Sequence, residues 1–357
     1  MKLRSSLRLV SAIWGMHRQK LTFLSFNVTN QCNERCLMCD VYAKPSQEMN
    51  LGEIEKVFTG LKRTGMMVVE ITGGEPFLRK DIVDVLTLLD EMGFLLTITT
   101  NGTLLSGPVA EKLNHLKGLV QLAVSLDSLD RELYAKLCGV DMLPVVLRNL
   151  GSLSSATLSF PVKINFTLSR MNYKETFAML DFVKERGLFL SVFPVTWGSG
   201  FHHRGDDQSL CPTDAERQEM AQIFRALRRF RKTGEPLWEY SRFYDLAADY
   251  VTGKPVGVCD AGSLYLDLRP DGTIAACIDQ EGLGNLLQED ISALLLRIPS
   301  EHDRIAKCSA CTPCCYTCTF NLSITAEHLV DFVIETLRIR ARHWIARRSL
   351  SPRRSRG

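Results

Sequence analysis

Short apolar runs alternate with helical patterns between residues 21 and 196. Six of these runs predict strands, at Leu21–Val28, Met66–Thr72, Phe94–Thr100, Leu119–Leu126, Val162–Leu168 and Leu188–Val195. Helical periodicity between them predicts helices near 51–64, 80–92, 108–116, 130–137, 143–153 and 173–186. Several runs are apolar throughout, which is typical of parallel strands covered on both faces. The pattern therefore predicts an α/β fold whose parallel sheet is either open or curled into part of a barrel.

The pattern changes after residue 212. Residues 213–252 predict two helices, and the first is expected to have a basic surface formed by Arg225, Arg228, Arg229 and Arg231. A Gly/Pro-rich stretch at 253–257 marks a boundary, and Asp271-Gly272 beyond it indicates a hairpin between two short strands. A cysteine-dense loop at 308–318 and a last helix near 326–346 follow.

These changes divide the chain into five segments. We expect a basic amphipathic N-terminal helix at 1–20, the sheet domain at 21–212, linking helices at 213–252, a small cysteine-rich domain at 253–320, and an amphipathic helix with a basic tail at 321–357. The 357 residues are 45% hydrophobic and 23% charged, which excludes disordered and collagen-like classes. No apolar stretch approaches the roughly 20 residues that a membrane-spanning helix needs.

The distribution of the twelve cysteines carries more information than their number. Three lie close together after the first predicted strand, and seven lie between residues 259 and 318. The N-terminus lacks an uninterrupted apolar core and a cleavage site, so a secretory signal is not expected. In a reducing cytosol such tight spacings indicate metal sites rather than disulfides. Of the two isolated cysteines, Cys138 is expected to be a buried apolar side chain and Cys211 a surface thiol.

Cys32, Cys36 and Cys39 follow the first predicted strand with the spacing C-x3-C-x2-C. Three thiolates on one loop can hold three irons of a 4Fe–4S cube and leave the fourth iron without a protein ligand. A structural zinc site would need a fourth Cys or His nearby, and none occurs elsewhere between residues 21 and 114. The loop therefore favours a reactive cluster over a structural zinc site.

At these residues the sequence resembles the radical S-adenosylmethionine (AdoMet, SAM) superfamily, and the likeness covers roughly residues 21–320. Its cysteine loop is matched as described, and its Gly-Gly-Glu-Pro motif after the second strand is matched by Gly73, Gly74, Glu75 and Pro76. The resemblance implies a partial (β/α)6 TIM-like barrel. It also implies that the open iron chelates the amino and carboxylate groups of AdoMet, while Glu75 accepts a hydrogen bond from the ammonium.

The resemblance also implies contacts with AdoMet at the ends of later strands. The matching residues are Asn101, Ser125, Asp127, Asn165 and Pro194, and each could equally be an ordinary turn or strand-end residue. The residue before the third cysteine, commonly aromatic in the superfamily, is Met38 here, which weakens stacking on adenine. His202 and His203 follow the sixth strand, where a solvated loop competes with a role at the barrel mouth.

The C-terminal cysteines resemble the SPASM and Twitch auxiliary-cluster modules of this superfamily. Cys259, Gly272 and Cys277 match the spacing with which these modules open. The later cysteines are Cys308, Cys311, Cys314, Cys315 and Cys318, three residues short of the full SPASM pattern and with one cysteine extra. We expect at least one auxiliary 4Fe–4S cluster, held by Cys259, Cys277 and two cysteines of the 308–318 loop. A zinc knuckle is the alternative.

The resemblance implies an enzyme that reduces AdoMet to a 5′-deoxyadenosyl radical and modifies an unactivated carbon. Such an enzyme needs a reducing partner of the flavodoxin or ferredoxin type. Its substrate would be a small molecule or a lipid-linked compound. A ribosomally made peptide is an alternative, although the roughly 20 residues before the first strand are too few for a leader-binding domain. A non-catalytic iron–sulfur or zinc scaffold is the rival from another class.

Charge is concentrated at the two ends of the chain. Five of the 43 basic residues lie in 1–20 and eight in 338–357, without an acid in either segment, so the body carries 30 basic against 40 acidic residues. Apolar stripes accompany both ends: Leu3, Leu7, Val10 and Trp14 at one, and Leu329, Phe332, Val333, Leu337 and Trp344 at the other. We expect a cytoplasmic protein peripheral to an anionic membrane face, unless both stripes pack on the barrel. Without stacking aromatics near the terminal arginines, nucleic acid is not an expected partner.

Overall fold

The computed structural model describes residues 21–155, 158–196, 208–254, 256, 260–297 and scattered positions between 323 and 337. Its strands are β1 Phe23–Thr29, β2 Val68–Gly73, β3 Leu95–Thr100, β4 Leu119–Ser125, β5 Val162–Leu168, β6 Phe189–Pro194, β7 Tyr265–Leu268, β8 Thr273–Ala275 and β9 Gly282–Asn285. Its α-helices are α1 Leu51–Arg63, α2 Ile82–Glu91, α3 Gly107–His115, α4 Arg131–Cys138, α5 Leu143–Ser155, α6 Thr176–Glu185, α7 Asp214–Thr233, α8 Ser241–Val251 and α9 Ile291–Leu295. The six strands predicted before residue 196 are all present, each within about two residues of its expected bounds.

The nine strands form one sheet in the order β6-β5-β4-β3-β2-β1-β7-β8-β9. Strands β1 to β6 are parallel, each paired with its neighbour in sequence. Strand β7 pairs parallel with the free side of β1, while β8 and β9 continue antiparallel. The predicted α/β class with an open, partial barrel is confirmed. The sequence did not indicate that the C-terminal strands extend the same sheet, nor that β9 exists.

Successive side chains of each strand point to opposite faces of the sheet. Leu24, Phe26 and Val28 of β1 belong to the main core, where the Phe26 ring lies 5.2 Å from that of Phe58 on α1. The alternating positions bear polar side chains on the interior of the partial barrel. Two examples are Thr99, which donates a 3.0 Å hydrogen bond to Glu70, and Asn27, which donates one of 2.9 Å to Asp267. The interior face is therefore polar along the middle and carboxyl parts of these strands, while Val68, Leu95 and Val120 form an apolar cluster near their amino ends.

Local signals set the ends of the helices around this sheet. The side chain of Asn50 caps α1 and that of Thr213 caps α7, each in a reciprocal capping box with a glutamate three residues on. Gly139 and Gly234 end α4 and α7 at φ of 71° and 96°, a conformation that glycine adopts without a steric cost. The helix expected at 173–186 begins as the 3-10 turn Tyr173–Glu175 before α6.

The outer edge of β6 is also paired. Leu190 donates to the carbonyl of Pro236 and accepts from the amide of Trp238, both at 2.8 Å, so the segment between α7 and α8 lies along this strand. The last helix is described at positions between 330 and 337, and Ile324, which precedes it, is buried. No helix within the described ranges is both long and apolar enough to cross a membrane.

One expectation about α7 was wrong. Arg231 does not lie on the expected basic surface, because its side chain is only 3% exposed and donates a 2.5 Å hydrogen bond to the carbonyl of Leu237. It also forms an ion pair with Glu335 of the last helix, with 3.4 Å between Nε and Oε2. Arg231 therefore anchors the last helix, a contact between distant parts of the chain that helical periodicity does not reveal.

We expect the buried carboxyl of Asp267 to make stability depend on pH. Burial raises its pKa to about 7, although the nearby Arg269 and the hydrogen bond from Asn27 oppose the shift. The folded protein therefore keeps a proton that the unfolded chain releases above about pH 4, so the free energy of unfolding falls as pH rises to about 7. The fall is roughly 1.4 kcal/mol for each unit between the two pKa values.

Asp267→Asn should flatten this dependence because an asparagine side chain does not titrate. The amide oxygen can still accept the hydrogen bond from Asn27. The measurement is the free energy of unfolding in urea for both proteins at pH 5 and pH 8. At pH 8 the free energy of unfolding of the variant should be higher, relative to wild type, than it is at pH 5. Parallel pH profiles for the two proteins would show that Asp267 does not titrate in this window.

Candidate active site

The three cysteines of the predicted cluster lie on one loop between β1 and the 3-10 turn Val41–Ala43. Cys32, Cys36 and Cys39 are all half-buried, and the amide of Cys39 donates a 3.1 Å hydrogen bond to the carbonyl of Cys36. We call residues 30–40 the cysteine loop. It begins at the carboxyl end of β1, at the edge of a parallel sheet where ligands are usually bound.

The Gly-Gly-Glu-Pro turn contacts the start of the cysteine loop through backbone atoms. Gly74 donates a 2.7 Å hydrogen bond to the carbonyl of Thr29, and Glu75 donates one of 2.7 Å to that of Gln31. A Cβ atom on Gly74 would lie 2.1 Å from the Gln31 oxygen, and one on Gly73 would lie 2.2 Å from the Thr29 oxygen. Only glycine allows the two segments to approach this closely.

Glu75 is fully buried and ties the turn to the end of β3. Its carboxylate accepts hydrogen bonds from the amide of Asn101 at 2.7 Å, the hydroxyl of Thr100 at 2.8 Å and the amide of Phe77 at 3.0 Å. Burial raises the pKa of Glu75, and these donors oppose the shift. Pro76, also buried, begins the 3-10 turn that follows. The structure therefore gives Glu75 a bracing role within the turn.

Asn101 links the end of β3 to the cysteine loop. Its side-chain amide donates a 2.7 Å hydrogen bond to Oδ1 of Asn33, and the amide of Asn33 donates one of 2.8 Å to the Thr103 hydroxyl. Asn33 lies between the first two cysteines. The sequence did not mark it as a positioning residue, because nothing local shows that its partners follow β3.

Helix α4 supports the other side of the cysteine loop. The amide of Arg35 donates to the carbonyl of Cys138 and that of Leu37 to the carbonyl of Leu137, both at 2.8 Å. A Cβ atom on Gly139 would lie 2.7 Å from the Arg35 oxygen. The loop is therefore fitted against the C-terminal end of α4, and the glycine that ends that helix gives room for it.

A buried polar pair accompanies this contact. The hydroxyl of Tyr134 donates a 2.6 Å hydrogen bond to Glu34, and burial raises the pKa of Glu34 to about 7. Cys138 is buried, as predicted, and it lies beside Cys36. Tyr134 and Glu34 were missed as positioning residues, although a glutamate between two cysteines was a usable signal.

Arg79 is a further positioning residue that the sequence did not reveal. It is 6% exposed and donates hydrogen bonds to the carbonyls of Val28 at 3.0 Å and Met49 at 2.6 Å. Asp81 pairs with its Nε at 2.7 Å. A buried guanidinium thus braces the end of β1 from which the cysteine loop leaves, four residues after Glu75 in the chain.

The remaining predicted AdoMet contacts lie farther along the sheet. Ser125 ends β4, Asn165 lies within β5 directly beside it in register, and Pro194 ends β6. Asp127 accepts a 2.8 Å hydrogen bond from the amide of Thr167, and burial raises its pKa to about 6. A role for these four residues at AdoMet stays a prediction.

The cysteine loop fits a multi-iron cluster better than a single ion. Among the described residues, the group close enough to share one metal ion is Glu34, Cys36 and Cys138, and the three loop cysteines do not converge in this way. Burial raises the pKa of Cys32 to about 12 and that of Cys39 to about 11. These thiols need bound cations to stabilise their thiolates, and iron in a cube would supply that charge.

One predicted ligand of the auxiliary cluster, Cys277, lies among the described residues. Cys277 is buried just after β8 and packs with Ala261, Tyr265 and Ala276 beside the β1–β7 junction. Cys259 and the five cysteines of the 308–318 loop lie outside the described residues, as do His202 and His203. Cys211 is half-buried rather than fully exposed.

Comparison with known proteins identifies the family. The model of the radical SAM superfamily matches residues 26–183. The GTP 3′,8-cyclase of Ectopseudomonas mendocina is 33% identical over 302 residues, which cover 80% of this chain and 86% of that protein. The chain belongs to the radical SAM superfamily. A probable GTP 3′,8-cyclase of Methanothermobacter thermautotrophicus is 29% identical over 272 residues, covering 73% of this radical SAM protein and 86% of the relative.

Solved structures share the fold of this radical SAM protein. Native anSMEcpe with bound AdoMet and a Cp18Cys peptide superposes with a TM-score of 0.62 at 16% identity, covering 93% of this chain and all of the other. SuiB of Streptococcus suis superposes with a TM-score of 0.61 at 18% identity, covering 78% of this chain and 67% of SuiB. At these identities the likeness concerns the fold alone.

Membership confirms that this radical SAM protein is an enzyme that uses a 4Fe–4S cluster and AdoMet, as expected from the cysteine loop. It also supports an auxiliary cluster. Cys32, Cys36 and Cys39 are the residues that would hold the AdoMet-binding cluster. The protein's own part is to position the cysteine loop through the contacts described.

Proposed function

We propose that this enzyme reductively cleaves AdoMet at a cluster held by Cys32, Cys36 and Cys39, and that the radical modifies an unactivated carbon of a small molecule. The observation that carries the proposal is the backbone contact between the cysteine loop and the Gly73–Gly74 turn. That contact brings the ligand loop of the cluster against the turn expected to bind the AdoMet ammonium. The substrate would lie on the polar interior face of the barrel.

Release of 5′-deoxyadenosine tests the reaction. Anaerobically reconstituted protein, reduced with dithionite and supplied with AdoMet, should form 5′-deoxyadenosine and methionine. The variant with Cys32, Cys36 and Cys39 replaced by alanine should form neither. Absence of the product from reduced, iron-loaded wild-type protein would favour the non-catalytic scaffold. A flavodoxin or ferredoxin should replace dithionite as the electron donor.

We expect Glu75→Ala to weaken AdoMet binding while leaving the iron content normal. The substitution removes the proposed acceptor for the AdoMet ammonium and leaves the amide of Asn101 unpaired. The expected loss of binding free energy is about 1.5–3 kcal/mol, measured by equilibrium dialysis.

Thr100→Val is the matched control for this prediction. It removes one donor to Glu75 but keeps the carboxylate, so it should reduce stability with a smaller change in AdoMet affinity. Normal affinity in Glu75→Ala would refute the contact with AdoMet. Equal losses in both variants would assign Glu75 a bracing role only.

For the auxiliary site we propose Cys259, Cys277 and two cysteines of the 308–318 loop as ligands. The support is the matching spacing and the buried position of Cys277 beside β1. Iron and sulfide analysis of the variant that lacks all three loop cysteines tests the number of clusters. About four irons should remain if one 4Fe–4S cluster is present, and about eight would indicate two. Zinc in place of iron would indicate a knuckle.

Two classes of small-molecule substrate are considered, a compound without phosphate groups and a polyphosphate. Glu70 and the buried Asp267 are carboxyl groups on the interior face, and Lys163 is a basic side chain on the same face. Because burial raises the pKa of both carboxyl groups, this face has little negative charge near neutral pH and does not exclude a polyphosphate. GTP is the second candidate because relatives that the chain matches over most of their length are named GTP 3′,8-cyclases.

Substrate-dependent turnover separates these candidates. GTP should raise the rate of 5′-deoxyadenosine release above the substrate-free rate if it is the substrate, and mass spectrometry would then show its conversion. No change in rate or in GTP would favour the other class. A lipid-linked compound is a further candidate substrate for the proposed reaction. A ribosomal peptide is supported only by the fold that this chain shares with peptide-bound structures.

A further inference from the structure

The last helix exposes apolar side chains where a surface helix normally presents polar ones. Val330 is 71% exposed, Val333 37%, Ile334 49% and Leu337 64%. The spacings of three, four and seven residues place these four side chains on one side of an α-helix. We call them the apolar stripe. Val333 and Leu337 also belong to the stripe predicted from the sequence, whereas Leu329, Phe332 and Trp344 of that prediction lie outside the described residues.

The acidic side of the same helix faces the protein. Glu335 accepts hydrogen bonds from the backbone amide of Ser241 at 3.1 Å and from its hydroxyl at 2.6 Å, at the start of α8. Glu335 also pairs with the buried Arg231, and Tyr240 donates a 3.4 Å hydrogen bond to Asp331. Breaking these contacts would leave Arg231 buried without its counter-charge, which is costly.

The helix therefore cannot rotate to bury its apolar stripe without losing the anchor at Arg231. Asp331 and Glu335 lie about 100° or more around the helix from the centre of the stripe. A buried ion pair thus holds four aliphatic side chains outward. Such an exposed patch is typical of a surface that a membrane or another molecule covers.

We propose that the apolar stripe docks the enzyme on an anionic phospholipid membrane. The charge of the adjacent segment indicates what covers the apolar stripe. The segment that follows the stripe, residues 338–357, carries eight arginines and no acid. A helix that presents aliphatic side chains next to dense positive charge has the composition of an interfacial anchor, and basic residues at such a surface are attracted to anionic headgroups. An anionic lipid surface can cover the aliphatic side chains and also attract the arginines.

Cosedimentation with vesicles tests the proposal. Full-length holoenzyme should sediment with vesicles of phosphatidylcholine and phosphatidylglycerol, and less with phosphatidylcholine alone. Replacing Val330, Ile334 and Leu337 together by glutamine should weaken binding to the mixed vesicles by at least about tenfold. Leu51→Gln, at a 38% exposed leucine on α1, is the matched control and should bind as wild type does.

A second variant separates the charge from the apolar contact. Arg338→Gln, Arg340→Gln and Arg342→Gln together should weaken binding by about fivefold for each arginine, and added salt should abolish the difference from wild type. Release of 5′-deoxyadenosine without vesicles should be unchanged in every variant, so this proposal can fail while the proposed reaction stands.

Three results would overturn the docking proposal. One is wild-type protein that stays in the supernatant with anionic vesicles at low salt. Another is a variant of the apolar stripe that binds as tightly as wild type. The third is a concentration-dependent dimer that the stripe variant cannot form, which would assign the stripe to a second copy of the chain.

Discussion

Gly74→Ala should abolish measurable AdoMet binding, with a loss of at least about a hundredfold in affinity. The new Cβ atom would meet backbone, at 2.1 Å from the Gln31 oxygen and 2.6 Å from the Gln31 carbonyl carbon. Because no flexible side chain can move aside, the turn and the cysteine loop must separate. The hydrogen bonds from Gly74 to Thr29 and from Glu75 to Gln31 would be lost with that separation.

Gly107→Ala is the matched control for the clash. Gly107 begins α3, and a Cβ atom there meets nothing within 4 Å. Equilibrium dialysis with AdoMet and iron analysis of both reconstituted variants make the comparison. Wild-type affinity in Gly74→Ala would show that the two segments need not touch for AdoMet to bind.

Gly139→Ala should lower the iron content of the cysteine loop to a small fraction of the wild-type value. The Cβ atom would lie 2.7 Å from the oxygen of Arg35 and 2.8 Å from its Cβ, so it pushes directly on the loop between two cysteines. The positive φ of 71° adds a strain of about 1 kcal/mol that is independent of the loop.

Gly65→Ala isolates that strain. Gly65 has a φ of 93° and open space around its Cβ position, so the control has the conformational cost without the clash. Both variants should unfold at lower urea concentration than wild type, but only Gly139→Ala should lose iron after reconstitution. Equal iron contents would mean that α4 does not position the cysteine loop.

The predictable part of the fold is the part that local pattern determines. The six parallel strands were placed within about two residues because their side chains are apolar on the helix-covered face and the turns between them are polar. The cysteine loop and the turn around Gly74 each follow a strand of the predicted parallel sheet, and the carboxyl ends of parallel strands meet at one sheet edge. Their approach therefore follows from strand pattern and topology.

The parts that the sequence did not indicate depend on contacts between distant residues. Arg231 looks like a surface residue until Glu335, about a hundred residues later, is found beside it. Gly139 reads as an ordinary helix end, and its closeness to Arg35 follows only from the way α4 packs. The same holds for Glu75, whose buried partners at the end of β3 were not evident from the motif.

The pairing of β7 with β1 has a consequence for any attempt to separate the two ends of the chain. Strand β1 is buried over six of its seven residues, and it carries the cysteine loop. Cutting the chain after α8 would leave this strand as an unprotected edge with free backbone donors and acceptors, a template for intermolecular pairing. The truncated protein should therefore aggregate, whereas the opposite edge at β6 stays covered by residues 236–238. The C-terminal strands are thus a structural cover for the catalytic sheet, and loss or exchange of this segment during evolution would require a replacement strand beside β1.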